Sequence, residues 1–182
     1  MKNFVIVILM CFNIFVSLFY TVKLKRVKQD IILYRVLMKD KWKKLKNIEI
    51  YKINGKGHLK IDSLRKSGKF LIIIVSPRDC GACLNAEVSF LERLNEKINI
   101  KRIIIVNIKR SVITNFEEWI EDWMKYGEVF LDTSATIEKS YNLRHTKVWN
   151  FVVKDGIILK IFEPPSNEKN IQFWLSILKI LQ

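Results

Sequence analysis

The apolar residues of this chain follow two different patterns. Residues 4–22 form an apolar run of 19 positions, interrupted by Asn13, Ser17 and Thr21. From residue 47 onwards, short apolar runs of strand length alternate with segments in which apolar residues recur every three or four positions, as on one face of a helix. The first pattern is typical of a membrane-spanning helix. The second predicts an α/β domain in which a central mixed sheet is flanked by helices.

The predicted elements of this domain follow one another in a regular order. Residues 70–75 are apolar without interruption, which is typical of a strand buried on both faces. Asp155-Gly156 separates two apolar runs and predicts a hairpin with a type I′ turn. Strands are predicted at residues 48–51, 58–61, 70–75, 103–108, 129–131, 151–153 and 157–162. Helices are predicted after residue 83, with Val88, Leu91, Leu94 and Ile98 towards the core, and around residues 116–124, 135–141 and 167–181.

The first apolar run is long enough to cross a bilayer, which takes about 20 helical residues. A cleaved signal peptide is the alternative, because Met1-Lys2-Asn3 resembles its charged start. We favour an uncleaved anchor at residues 1–22, since the run exceeds the roughly 7–15 apolar residues of a signal peptide and no small-residue cleavage site follows. Bulky Leu9 and Met10 before Cys11 argue against a lipoprotein cysteine.

The net charge of +14 is unevenly distributed along the chain. Residues 23–69 contain 16 Lys and Arg against 4 Asp and Glu, whereas residues 70–182 contain 15 against 14. A nucleic-acid-binding protein is expected to carry its positive charge on the folded domain, so we predict no nucleic-acid partner. A polybasic segment beside a membrane helix meets anionic lipid head groups instead.

We therefore divide the chain into an anchor, a basic juxtamembrane stalk at residues 23–46, and a domain at residues 47–182. The stalk is predicted as a helix over residues 29–46, either a solvated spacer or a helix lying on the membrane surface. The positive-inside rule would place the following domain in the cytoplasm. We nevertheless favour a single-pass protein of the bacterial cytoplasmic membrane with an extracytoplasmic domain, because the short N-terminal tail with Lys2 resembles an export signal.

The chain has three cysteines, and two of them lie outside the apolar run in the motif Cys80-Gly81-Ala82-Cys83. One pair suits a redox site and is too small a number for a disulfide-stapled scaffold. A structural zinc site needs four ligands, whereas the domain adds only His58 and His145, so we predict no metal. The motif lies between a predicted strand and a predicted helix, where the helix N-terminus lowers the pKa of a thiol. We assign Cys80 as the attacking thiol and Cys83 as the resolving thiol.

Residues 55–181 resemble the thioredoxin-fold thiol–disulfide oxidoreductases of the membrane-tethered TlpA/ResA group. The resemblance rests on the spacing of several short blocks along the chain. These blocks are Gly57-His58-Leu59-Lys60-Ile61-Asp62-Ser63-Leu64, Gly68-Lys69, the cysteine motif, Phe130-Leu131-Asp132, Tyr141-Asn142-Leu143-Arg144 and Phe151-Val152-Val153-Lys154-Asp155-Gly156. The resemblance implies a thioredoxin-like fold, no cofactor, and disulfide exchange with the thiols or disulfides of partner proteins.

Three departures from the family pattern surround the cysteines. Asp79 replaces an aromatic residue, and its carboxylate would oppose thiolate formation while Arg78 could offset it. The strand before the motif lacks the acidic residue that many thioredoxins bury there. Thr146-Lys147 stands where the family has Thr-Pro with a cis bond, so we predict a trans bond and a cation near Cys80. We hypothesise that Lys147 stabilises the thiolate and makes the pair more oxidising than thioredoxin.

Two other functions remain open from the sequence. A thiol peroxidase of the related fold usually has Thr three residues before the attacking cysteine, where this chain has Pro77. A binding or redox-sensing module would keep the fold with little turnover. The sequence leaves open the direction of electron flow, the partner protein and the oligomeric state.

Overall fold

The computed structural model describes residues 14–25, 27–28, 31, 43–53, 57–66, 68–108, 116–144 and 147–181. The chain divides into two units, Met1–Asp40 and Lys41–Gln182. In the first unit, residues 14–25 are helical. Among the described residues, no helix combines the length and the apolar character needed to cross a bilayer. Residues 1–13 of the predicted anchor lie outside the described residues, so the anchor stays a prediction.

The described part of the second unit consists of strands, α-helices and one 3-10 helix. The strands are β1 Lys43–Lys44, β2 Glu49–Lys52, β3 His58–Lys60, β4 Lys69–Val75, β5 Lys101–Asn107, β6 Glu128–Asp132, β7 Trp149–Lys154 and β8 Ile157–Phe162. The α-helices are α1 Gly81–Lys97, α2 Phe116–Met124, α3 Thr136–Tyr141 and α4 Glu168–Leu181, and the 3-10 helix is Ile61–Lys66. The predicted central mixed sheet flanked by helices is confirmed.

The strands form one sheet in the order β1-β8-β7-β4-β5-β6-β2-β3. The central strands β4, β5 and β6 run parallel. Antiparallel pairs extend the sheet on both sides, with β7 on β4, β8 on β7 and β2 on β6. Helix α1 makes the crossover between β4 and β5, as a parallel pair requires. The cysteine motif therefore follows the carboxyl end of a central strand, where the sheet positions it firmly.

Side chains of β4 alternate between the two faces of the sheet, and each face carries a separate core. On one face, Leu71 and Ile73 pack with α1, α2 and α4 residues such as Phe90 and Leu178. On the other face, Phe70, Ile72 and Ile74 pack with residues from β2, α3 and the 3-10 helix. Burial on both faces explains why β4 is apolar throughout.

The β7–β8 hairpin confirms the turn predicted at Asp155-Gly156. Both residues have positive φ, 50° for Asp155 and 76° for Gly156. A type I′ turn needs this conformation at both central positions, and Asp followed by Gly is among the pairs that adopt it at low cost.

The prediction of a helix reaching residue 46 is wrong at its C-terminal end. Lys43 and Lys44 instead form β1, which pairs antiparallel with β8 at Ile158 and Ile157. Leu45 follows with 2% of its surface exposed, and its N–H donates to the Gly156 carbonyl at 2.9 Å. Pairing with a sheet edge and burial of one leucine outweigh the helical propensity of a short basic segment. The folded domain therefore includes residues that we assigned to the stalk.

Candidate active site

A tight turn connects β4 to the cysteine motif. The N–H of Asp79 donates to the carbonyl of Ser76 at 2.9 Å, and the N–H of Ser76 donates to Asp79 Oδ2 at 2.6 Å. The N–H of Arg78 also donates to Ser76 Oγ at 3.3 Å. These three bonds close the turn around Pro77 and fix the direction in which the chain leaves the sheet.

Cys80 is the N-cap residue of α1. Its backbone is extended, with φ −62° and ψ 136°, and its Sγ accepts a hydrogen bond from the N–H of Cys83 at 3.2 Å. Its carbonyl accepts from the N–H groups of Cys83 and Leu84, at 2.9 and 3.1 Å. An N-cap side chain normally satisfies such a donor with an oxygen, and here the sulfur takes that place. In the reduced protein, the same donor and the helix dipole would stabilise a thiolate on Cys80.

Cys80 and Cys83 form a disulfide, with their Cα atoms 5.2 Å apart. Cys80 is exposed, whereas Cys83 is half-buried and packs against the core on the α1 side of the sheet. Gly81 and Ala82 between them are exposed and belong to the first turn of α1. The arrangement exposes Cys80 and keeps Cys83 against the core.

The carboxyl group of Asp79 lies within this turn rather than in solvent. The residue is 7% exposed, and its Oδ1 has no hydrogen-bond partner among the described residues. Burial, and to a smaller degree the nearby carboxylate of Glu138, raise the pKa of Asp79 to about 7, although the hydrogen bond from Ser76 opposes the shift. Neighbouring Arg78 is exposed.

A second buried carboxyl group follows the cysteines on α1. Glu87 lies four residues after Cys83, on the same side of the helix, and is wholly buried. Its Oε2 accepts a hydrogen bond of 2.6 Å from the side-chain amide of Asn150 on β7. Burial raises the pKa of Glu87 to about 8, against the lowering effect of the Asn150 bond. A carboxyl group with this pKa can take up or release a proton near neutral pH.

The structure pairs Lys147 with an acid. Its Nζ donates to both carboxylate oxygens of Glu163, at 2.7 and 2.6 Å, and its side chain is 30% exposed. The positive charge that we expected to act on Cys80 is thus shared with Glu163. Thr146 and His145 lie outside the described residues, so the trans bond at Thr146-Lys147 stays a prediction.

In the described part of the chain, no group of three or more His, Cys, Asp or Glu side chains is arranged to hold a metal ion.

No protein-family model and no curated protein matches this chain. Among solved structures, a secreted disulfide oxidoreductase of Mycobacterium tuberculosis homologous to DsbE of E. coli aligns with a TM-score of 0.56 and 10% identity, over 74% of this chain and 96% of that chain. The fold is thioredoxin-like.

Two further solved structures share this thioredoxin-like fold. A thio-disulfide isomerase from Thermus thermophilus aligns with a TM-score of 0.51 and 14% identity, over 76% of this chain and 96% of that one. Reduced Prx3 from Vibrio vulnificus aligns with a TM-score of 0.53 and 16% identity, over 75% and 98%. At these identities the likeness shows the shared fold alone.

Within the thioredoxin-like domain, the structure brings Asp79, Cys80 and Cys83 together around the start of α1, and places Glu87 one turn beyond them. Sequence reasoning included the first three residues and missed Glu87. We sought an acidic residue in the strand before the motif, whereas the buried acid lies on the helix after it. A glutamate four residues after Cys83 was the available signal, since that spacing puts both side chains on one helix face.

Proposed function

We propose that this protein exchanges disulfides with protein partners through Cys80 and Cys83. The observation that carries the proposal is the N-cap position of Cys80, whose exposed sulfur accepts the N–H of Cys83 at the start of a long helix. That position favours the thiolate form of the attacking cysteine. The bonded pair of exposed and half-buried sulfurs gives the two states that a redox cycle needs.

In the reducing direction, the Cys80 thiolate attacks one sulfur of a partner disulfide. A mixed disulfide forms, and the partner's other sulfur leaves as a thiolate that takes up a proton. The Cys83 thiol then loses its proton and attacks Cys80 Sγ, which releases the second partner thiol. Two electrons and two protons pass to the partner, and the Cys80–Cys83 disulfide forms. Oxidation of a partner dithiol is the reverse of these steps.

Glu87 is our candidate for the group that accepts the proton of Cys83. The residue lies one helical turn from Cys83, and its raised pKa suits proton transfer near neutral pH. The side-chain amide of Asn150 donates to Oε2 of Glu87, and Oε1 has no partner among the described residues. Oε1 is therefore the oxygen that can bind a proton or a water molecule. The apolar strand before the motif then needs no acid of its own.

We further propose that the domain is tethered to the bacterial cytoplasmic membrane and faces outwards. The apolar residues 4–22 and the basic residues that follow them support the tether. Carbonate washing of membranes tests the tether, because a peripheral protein is released and a spanning one is retained. A membrane-impermeant thiol reagent on intact cells, applied after mild reduction, tests the orientation at Cys80.

The central experiment measures the reduction potential of the pair in the full-length protein, by thiol trapping in graded redox buffers, with Cys80→Ser as control. A potential near −270 mV, roughly that of thioredoxin, assigns a reductase, and one above about −180 mV assigns an oxidant or isomerase. An insulin-reduction assay then measures turnover. Failure to form the intramolecular disulfide at any poise would refute disulfide exchange and favour the binding module. Rapid consumption of hydrogen peroxide without insulin reduction would instead favour a peroxidase.

A further inference from the structure

The residue before the attacking cysteine is a buried acid that belongs to the same turn. Asp79 Oδ2 holds the N–H of Ser76, and Oδ1 is buried with no partner among the described residues. When a carboxylate is ionised and buried, both of its oxygens usually accept hydrogen bonds. Only Oδ2 of Asp79 does so among the described residues, which favours the protonated form of the group.

The charges around Asp79 also disfavour its ionisation. Glu138 on α3 is 2% exposed and contributes like charge at Asp79. Arg78, in the same turn, has its side chain exposed to solvent, and Lys147 has its ammonium on Glu163. Burial is the larger influence and Glu138 adds to it, so the Asp79 carboxyl titrates near neutral pH, where a cysteine at a helix N-terminus also titrates.

We propose that Asp79 and Cys80 share one proton in the reduced protein, so that Asp79 sets the pH range in which Cys80 reacts. Two anions on adjacent residues at one helix start repel each other, and the second ionisation is therefore delayed. The pair loses its protons in two steps that belong to both groups together. With Asp79 protonated, the N–H of Cys83 and the helix dipole act on Cys80 unopposed. With Asp79 ionised, they must overcome its charge.

This inference deepens the proposed function, since a change of pH would then alter how readily the pair attacks a partner. The test of this inference does not require turnover. The rate of alkylation of a single thiol measures the thiolate fraction of Cys80 directly, independently of any partner protein.

The test uses the full-length protein with Cys11→Ser and Cys83→Ala, which leaves Cys80 as the sole thiol. The rate of alkylation by iodoacetamide is measured from pH 4 to pH 10. We expect a two-step profile with Asp79 present. Asp79→Asn should give a single step, and the midpoint of its alkylation profile should lie roughly half a pH unit to one unit below that of the parent.

Asp155→Asn is the matched control, because it removes the same charge at the β7–β8 turn and asparagine accepts positive φ. Its profile should match that of the parent. Equal profiles for the parent and Asp79→Asn would overturn the proposal. If circular dichroism shows that Asp79→Asn does not fold, the pH profile of the parent protein is the test. A one-step profile for the parent then overturns the proposal. A shifted profile together with an inactive native protein would refute the proposed function and leave the proton-sharing intact.

Discussion

The side-chain amide of Asn150 donates a 2.6 Å hydrogen bond to Glu87 Oε2 in a part of the core where both residues are fully buried. The bond joins helix α1, which carries the cysteines, to strand β7, which follows Lys147. Glu87 Oε1 and Asn150 Oδ1 have no partner among the described residues. A proton on Glu87 removes the charge that burial disfavours. With a pKa of about 8, Glu87 is mostly neutral at pH 7, and its ionised fraction is the form that can accept the proton of Cys83.

Glu87 makes the stability of the protein fall as the pH rises. Its pKa is about 8 in the folded state and near 4.5 when unfolded, so the folded chain holds a proton that the unfolded chain releases between these values. The stabilisation is complete below about pH 4.5 and is lost as the pH rises towards about 8. Glu87→Gln keeps the acceptor for Asn150 and removes the titration.

Urea unfolding of native protein and Glu87→Gln at several pH values measures this effect. The difference in the free energy of unfolding should change by up to about 1.4 kcal/mol per pH unit inside the window. Glu92→Gln, an exposed residue of the same helix, serves as the control and should show no such trend. Parallel curves for native protein and Glu87→Gln would show that Glu87 does not carry the proton.

The same substitution should slow the step in which Cys83 attacks the mixed disulfide. Loss of a positioned general base costs about a hundredfold or more in rate. We expect Glu87→Gln to accumulate the mixed disulfide of Cys80 with a partner peptide, which mass spectrometry of acid-quenched samples detects. The first step, the attack by Cys80, should keep its rate. An equal slowing of both steps would point to a structural defect instead.

The domain should need residues that precede the predicted boundary at 47. Leu45 is 2% exposed, and the hydroxyl of Tyr141 accepts the N–H of Lys46 at 2.9 Å. A chain that begins at residue 41 keeps both contacts, whereas one that begins at residue 47 loses them together with β1. The shorter chain should be less stable by about 2–4 kcal/mol, from one buried leucine and one hydrogen bond.

Thermal and urea unfolding of the two truncated chains measures this difference. Tyr141→Phe in the longer chain isolates the hydrogen bond, and Tyr51→Phe, at a half-exposed tyrosine, is its control. Equal stability of the two truncated chains would mean that β1 adds nothing to the domain.

The fold could be predicted from the sequence where the local pattern of apolar and turn residues agrees with burial in the folded domain. The uninterrupted apolar run of β4, the turn at Asp155-Gly156 and the spacing of α4 each specify an element without help from distant residues. Strand β1 was not readable, because two lysines carry no strand pattern and become a strand only by pairing with β8. Helix α1 was predicted with Val88 towards the core, yet Phe90 is fully buried and Val88 only half-buried.

The candidate site, too, could be predicted from the sequence only where its residues are neighbours along the chain. The cysteines and Asp79 are neighbours along the chain, so their proximity follows from sequence alone. From sequence alone, Glu87 is expected on the solvated face of its helix. Its buried carboxyl group is hydrogen-bonded by Asn150, which is 63 positions away in the chain. Glu163 was likewise not connected to Lys147, since the ion pair joins the segment before β7 to the segment after β8.

The pair of Lys147 and Glu163 yields the last prediction, which concerns the charge near Cys80. Because Glu163 neutralises Lys147, Lys147→Ala alone should change the pKa of Cys80 little. Glu163→Gln should free the ammonium, lower the pKa of Cys80 and raise the reduction potential of the pair, provided that Lys147 reaches the thiolate. Adding Lys147→Ala to Glu163→Gln should then cancel the change. Thiol titration of the four proteins forms a double-mutant cycle. If Glu163→Gln leaves the Cys80 pKa unchanged, Lys147 does not act on the thiolate.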